Sequence, residues 1–459
     1  MLNQAFRTPA RLTEPPKFHN SSPPTAFAIH RNSDFSGESA GVELSTVRLH
    51  SRSAREEAVL TFQHLTSGTS SMLVTLFWLS LAAVAMTYVI YPLLLAALPS
   101  KRRQPADASY QPPVSLIISA YNEAQIIREK LENALALDYP TDLLEMIVIS
   151  DGSTDGTDEI VSGYASRGVL LRRQEPRGGK SLGLTRFVPF ASGKILIFSD
   201  ANSIYRPDAI QNLVRHFADP SVGYVVGHQN YLSSGSAATI SETLYWRYES
   251  YVKGQESRVG CVVGGDGAIG AMRAELFEPL RADDINDFYL PLRIVARGYI
   301  GVFDKDAICY EHTAAGFRGE FRRKVRIVTR SLRAVGRVAE TLNPVQVGFF
   351  AVQLFVHKIV RWFVPFFLMG MFVSSAALAE RGLVPYRVML QLQTVFYLLA
   401  LLGFIPIALR MRPISFAFYF CVVNAAAFLG IVNCIFGRRI STWQPERAPL
   451  DNPVPSAEA

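Results

Sequence analysis

Apolar positions along the chain fall into two regimes. From Met72 to Leu98 no charged residue occurs, a run longer than the roughly 20 residues that cross a bilayer core. Three more uncharged blocks follow late in the chain, at Trp362 to Ala379, Val388 to Leu409 and Pro413 to Gly437. Between these blocks the pattern shortens and alternates. Val114 to Ser119, Met146 to Ser150, Val169 to Arg172 and Ile195 to Ser199 are brief β-branched or aliphatic runs that predict buried strands. Each leads toward a helix. Ile126, Ile127, Leu131 and Leu135 recur at helical spacing, Asp155-Gly156-Thr157 and Gly178-Gly179-Lys180-Ser181 open the next two helices, and a fourth runs from Pro207 to Phe217. Strands alternating with helices at this spacing predict an α/β fold with a doubly wound, mainly parallel sheet and right-handed crossovers. After residue 222 the pattern loosens, with Val222 to Gln229 a further strand, an aromatic helix around Leu244 to Val252, and a helix from Phe288 to Arg297.

Composition sharpens the membrane reading. Apolar residues make up 49% of the chain and charged ones 19%. Lys101, Arg102 and Arg103 follow the first apolar block at once, which places residues 104 to 344 in the cytoplasm. One transmembrane helix at 72–98 and about three within 362–437 are expected, in a multi-pass protein of the inner (plasma) membrane. Val345 to Arg361 is apolar but carries His357, Lys358 and Arg361. Each Lys or Arg at a span centre costs about 2.5 to 3.5 kcal/mol, so 345–361 is expected to lie in the interface. An odd number of spans puts Arg438-Arg439 and the Trp443 tail (438–459) outside, while an inside placement requires one re-entrant block; both arrangements stay open. Residues 1 to 70 are rich in Pro, Ser, Arg and Glu without hydrophobic periodicity and read as a disordered N-terminal extension, with Met72 as a possible alternative start. They lack the short apolar core of a secretory signal. The net charge of +7 is what cytoplasmic loops of a membrane protein accumulate, so no nucleic-acid partner is expected. Cys261, Cys309, Cys421 and Cys434 have no paired or metal-ligand spacing and read as reduced thiols.

The candidate chemistry sits where strands end. Ile147 to Thr157 runs from a buried strand into an acidic, glycine-broken loop that presents Asp151 at a carboxyl edge, where open α/β sheets bind ligands. Ile195 to Asn202 repeats the arrangement with Ser-Asp-Ala-Asn. Parallel neighbours would bring Asp151, Asp200 and Asn202 to one rim, and hard oxygen ligands there suit a magnesium-like cation holding a phosphate. Turn-forming acids after buried strands are the plain alternative. Gly264 to Gly270, with Gly265 and Asp266 inside it, reads either as a sugar or acceptor loop or as a structural tight turn. Asp287 falls at the expected N-cap of the following helix, a position that also aims a carboxylate into the cleft.

Together, Ala120-Tyr121-Asn122-Glu123, Asp151-Gly152-Ser153-Thr154-Asp155, Gly179-Lys180, Asp200-Ala201-Asn202, Asn286-Asp287, a basic helix and the apolar spans resemble a membrane-anchored family 2 inverting glycosyltransferase. Cellulose, chitin-oligosaccharide, hyaluronan and poly-N-acetylglucosamine synthases are of this kind, and the resemblance covers roughly residues 110 to 440. It implies a nucleotide-binding glycosyltransferase A-type fold over 110–340, a nucleotide-sugar donor, usually a uridine diphosphate sugar, Mg2+ or Mn2+ as cofactor, and a glycan or lipid-linked acceptor in envelope or extracellular polysaccharide synthesis. By position, it implies that Tyr121, Glu123 and Asp151 meet the uracil and ribose, Lys180 the diphosphate, Asp200 and Asn202 the metal, and Asp287 the acceptor proton.

Two departures matter. Asn202 stands in place of a second acid, and Arg323-Lys324-Val325-Arg326-Ile327 stands where processive synthases carry Gln-x-x-Arg-Trp, so that only Arg326 matches. Single-sugar transfer to a lipid-linked acceptor, a catalytically weak regulatory relative, and a transporter are the competing readings. The basic stretch Arg318 to Arg337 is expected to form an amphipathic helix on the anionic inner membrane surface, with Arg323 and Arg326 toward substrate and Glu311-His312 along the acceptor path.

Overall fold

A computed structural model describes residues 69–101, 106–232, 237–312 and 316–438. The expected N-terminal extension, Arg102-Arg103, the His312 side chain and the tail beyond Arg438 lie outside the described residues.

Eight strands form one sheet: β1 Val114–Ala120, β2 Leu144–Ser150, β3 Val169–Arg173, β4 Ile195–Asp200, β5 Ile204–Tyr205, β6 Val222–Leu232, β7 Gly270–Arg273 and β8 Ile300–His312. Their spatial order is β3-β2-β1-β4-β7-β6-β8-β5. The first four are mutually parallel, as the alternating pattern predicts, and β6 pairs β8 in parallel. The sheet is mixed, because β7 enters antiparallel between β4 and β6, and β5 pairs antiparallel with β8. These two strands are too short, at four and two residues, to carry a readable period. Alternate residues of β1 and β2 feed opposite faces: Leu116, Ile118 and Val148 join one buried cluster, Ile117, Ile147 and Ile149 the other. Helices cover both faces, among them α2 Ile127–Leu135, α3 Thr157–Ser162, α4 Lys180–Phe187 and α5 Ala209–Val214.

Four helices among the described residues are long and apolar enough to cross a membrane: α1 Thr69–Ala97, α9 Phe349–Glu380, α10 Val384–Leu402 and α11 Arg412–Ile435. Three further helices are α6 Ala237–Val259, which packs on β8 and on α1 and α11, α7 Asn286–Ala296, which packs on β6 and β8, and α8 Gly316–Arg337, which packs on α7 and α11. The segment 349–361, expected in the interface, runs without a break into the span expected from Trp362, through one π-helical turn at Phe355–Val360. Its His357, Lys358 and Arg361 pair with Glu249 and Glu256 of α6, so protein carboxylates meet the charges that the sequence assigned to headgroups. The basic helix also differs from expectation. In α8, buried Arg330 donates to the carbonyls of Ala282, Asp283 and Asp284, while Arg333 and Arg337 pair with Asp283 and Asp284. A fork of guanidinium donors matches this cluster of oxygens, and these arginines face protein rather than a membrane surface.

Candidate active site

The strand register sets the site. Ala120 is level with Ser150, and Ser119 with Asp200, so Tyr121, Asp151 and Ala201 leave the sheet at the same edge. Asn122 then turns with a left-handed φ of 52°, a conformation asparagine tolerates, and its side-chain oxygen accepts from the Thr154 amide. Asp151 is buried. Its Oδ1 accepts from Gln174 Nε2 at 2.6 Å and the Gly178 amide at 2.8 Å, and its Oδ2 from the Gly179 amide at 2.9 Å. These contacts fix the loop that delivers Lys180 to the first turn of α4. Arg177 stands over the Tyr121 ring at 3.5 Å and beside Asp151, and buried Glu123 follows.

Lys180, Asp200, Asn202, Gly265, Asp266, Asp287, Arg323 and Arg326 all line one cavity of about 1290 Å³. Tyr121, Glu123 and Asp151 are not in its wall; they occupy the neighbouring strand ends. Lys180 Nζ lies 2.5 Å from Asp200 Oδ1 and donates to the Gly267 carbonyl at 3.1 Å. Asp200 keeps 35% of its side chain exposed. Beneath this loop, wholly buried Lys130 donates to the Ser203 carbonyl, and burial pulls its amine down to about 8. Glu311 bonds Ser203 Oγ and Gln229, and burial and the charge of Asp200 push its carboxyl upward.

Asp287 corrects one expectation. Ile285 is the N-cap of α7, and Asp287 sits in the first turn. Its Oδ1 is buried and has no hydrogen-bond partner among the described residues. Burial raises its pKa above the ordinary aspartate value; Asp266 and Asp200 add to the rise, and Lys180 opposes it. The glycine loop wraps Asp287 closely. The Gly265 amide lies 2.5 Å from the Asp287 carbonyl. A Cβ at Gly265 would stand 2.7 Å from that oxygen, and one at Gly267 would stand 3.2 Å from Asp287 Oδ2. The loop is therefore at once a tight turn and part of the cavity wall. Asp266 itself is engaged by Lys253, at 3.5 Å.

Arg326 is half-buried, and its desolvation with the charges of Arg330 and Arg323 brings it down to about 10, so it stays cationic at neutral pH near Asp200 and Asp287. Arg323 bonds Glu320 at 2.7 Å and stands over the rings of Tyr231 and Trp246. The cavity wall continues into the apolar helices, with Val84 and Tyr88 of α1, Phe396 of α10, and Phe416, Phe420 and Val423 of α11. Sequence reasoning missed Lys130, Arg177, Trp246 and the charged face of α6. Only the last left a signal, in the helical spacing of Glu249, Lys253 and Glu256.

Residues 115–280 match the sequence family described as Glycosyl transferase family 2. A beta-monoglucosyldiacylglycerol synthase from Nostoc sp. is 28% identical over 228 residues, covering 46% of this chain and 48% of that protein. A poly-beta-1,6-N-acetyl-D-glucosamine synthase from Staphylococcus aureus is 25% identical over 230 residues, covering 46% and 53%. The chain thus spans about half the length of the curated relatives it matches. Among solved structures, mannosyltransferase PcManGT from Pyrobaculum calidifontis, in complex with GDP-Man and Mn2+, superposes with a TM-score of 0.63 at 22% identity, over 81% of this chain and 99% of that one. The likeness is one of fold.

Proposed function

The chain carries a family 2 glycosyltransferase domain, and from that premise we propose that it moves a sugar from a nucleotide sugar, with uridine diphosphate as the carrier, to an acceptor hydroxyl with inversion. The observation that carries this reading is the meeting, in one cavity, of the unpartnered Asp287 carboxylate oxygen with Lys180, Asp200 and Asn202. Asp287 takes the proton of the attacking hydroxyl. Lys180 and Arg326 meet the diphosphate, and Tyr121, Glu123 and Asp151 hold the base and ribose from the adjoining strand ends. Direct displacement opposite the leaving diphosphate gives inversion.

Asp200 and Asn202 would hold Mg2+ or Mn2+. Among the described residues no group of three or more His, Cys, Asp or Glu forms a metal cage. The donor set fits a cation that takes one carboxylate and one amide oxygen from protein and the rest from phosphate and water. A bound cation would offset the charge gathering on the leaving diphosphate.

The apolar end of the cavity favours an acceptor presented from the membrane, and hence single-sugar transfer to a lipid-linked acceptor over growth of a free glycan. The missing glutamine and tryptophan of the processive element agree with this. The catalytic domain would face the cytoplasm at the inner membrane.

Release of nucleoside diphosphate from UDP- and GDP-sugars by the detergent-solubilised protein, with product length on a gel, tests the reading. Asp200→Ala should abolish metal-dependent donor binding. Chelator-insensitive binding of undiminished strength in that variant would sink the metal assignment, and no turnover of any nucleotide sugar would leave a regulatory relative or a transporter.

A further inference from the structure

Helix α6 carries Glu249, Lys253 and Glu256 at intervals of four and three residues, so all three project from one face. All are buried, Glu256 completely. At one end, Glu249 bonds Lys358 Nζ and Arg361 Nη1, each at 2.8 Å. At the other, Glu256 Oε1 accepts from Tyr91 OH at 2.6 Å and lies 2.7 Å from His357 Nδ1, while Oε2 accepts from the Val263 amide at 3.1 Å. Between them, Lys253 reaches Asp266.

Those partners belong to different parts of the molecule. Tyr91 is on α1, His357 and Arg361 are on α9, and both helices are long and apolar enough to cross a membrane. Val263 and Asp266 bracket the first half of the loop that wraps Asp287. That loop has no slack: Gly265 contacts the Asp287 backbone, and Gly267 O receives Lys180. One buried carboxylate therefore ties two apolar helices to the backbone entering the active-site loop.

We propose that Glu256 is a positioning residue for sugar transfer, holding the Val263–Gly267 loop in register so that Asp287 and Lys180 stand correctly toward acceptor and donor. The inference rests on Asp287 being the base. The carboxylate accepts from both the Tyr91 hydroxyl and the Val263 amide and faces His357 Nδ1; the isosteric amide has a single oxygen, so either the Val263 amide or the Tyr91 hydroxyl loses the oxygen it donates to and the tether slackens. The loop then shifts, and a misplacement of about 1 Å at a reacting group costs on the order of 10²-fold in rate. Donor affinity is set by other contacts and should hold.

The test uses the full chain in detergent, with release of UDP from UDP-glucose or GDP from GDP-mannose, whichever the unaltered protein turns over, read beside donor KM and thermal unfolding. Glu256→Gln is expected to lower kcat by about 10²-fold with donor KM within about twofold. Tyr91→Phe removes one hydrogen bond and keeps the carboxylate; it should lower kcat by about 2- to 10-fold and decides the matter if Glu256→Gln does not fold. A lower unfolding temperature with kcat unchanged in the folded variant would make Glu256 a scaffold residue only and overturn the proposal. Failure of the functional reading looks different: the unaltered protein would release no nucleotide, or turnover would survive Asp287→Asn, and either result removes this inference as well.

Discussion

At the scale of single residues, Asp287 concentrates the chemistry. Because it lies in the first turn of α7 and Ile285 is the cap, its carboxylate is not spent on capping. Asp287→Asn should fold and bind donor normally while transfer falls by about 10²- to 10⁴-fold; transfer near the unaltered rate would show that the carboxylate is not the base. The pH profile adds a sign. A base works ionised, and burial raises the pKa of Asp287. Activity is therefore retained above that pKa and lost as pH falls through it, and the acid limb of kcat should lie above the ordinary aspartate value of about 3.9. An acid limb at or below that value would contradict the buried site.

At the scale of elements, α8 shows how a readable helix acquires an unreadable partner. Its apolar and basic periodicity predicts a helix, and the helix is present. Its company is not periodic information: Arg330 reaches three consecutive carbonyls some 46 to 48 residues away in sequence. Arg330→Met would take the guanidinium donor from the Ala282 and Asp283 carbonyls, at about 1 to 3 kcal/mol each, while the Asp284 carbonyl keeps the Ser181 hydroxyl, and should sharply lower the unfolding temperature. Arg318, exposed on the same helix, should change stability by less than about 0.5 kcal/mol when replaced by Ala. Equal effects of the two substitutions, measured by thermal unfolding in detergent, would show that α8 does sit as a surface helix.

At the scale of the whole molecule, one apolar helix precedes the sheet and three follow it among the described residues. The expectation that the sheet domain is cytoplasmic rests on Lys101 and its basic neighbours after α1. Ser192 is exposed in the turn before β4 and offers a place to check it. A reporter inserted after Ser192 should be active only on the cytoplasmic side; activity only on the far side would overturn the membrane arrangement.

The sequence by itself determined what depends on neighbours a few positions apart. Short continuous apolar runs specified β1 to β4 and β6, helical spacing specified the helices that cover them, and uncharged blocks specified α1, α10, α11 and most of α9. Because strands alternating with helices pair in parallel, the strand ends bearing Asp151, Asp200 and Asn202 were legible as one rim. Tertiary structure decided what depends on partners far apart in the chain. The antiparallel insertion of β7 is held by only four residues between two longer strands. The run of α9 through His357, Lys358 and Arg361 depends on carboxylates of α6 about a hundred residues earlier. Asp287 came to hold a buried oxygen without a hydrogen-bond partner among the described residues because a loop some twenty residues upstream closes over it without a side chain at Gly265. Local patterning records which face of an element is apolar, since burial of that face is a property of the element itself; it does not record which polar group will neutralise a charge, because that group is chosen by the fold.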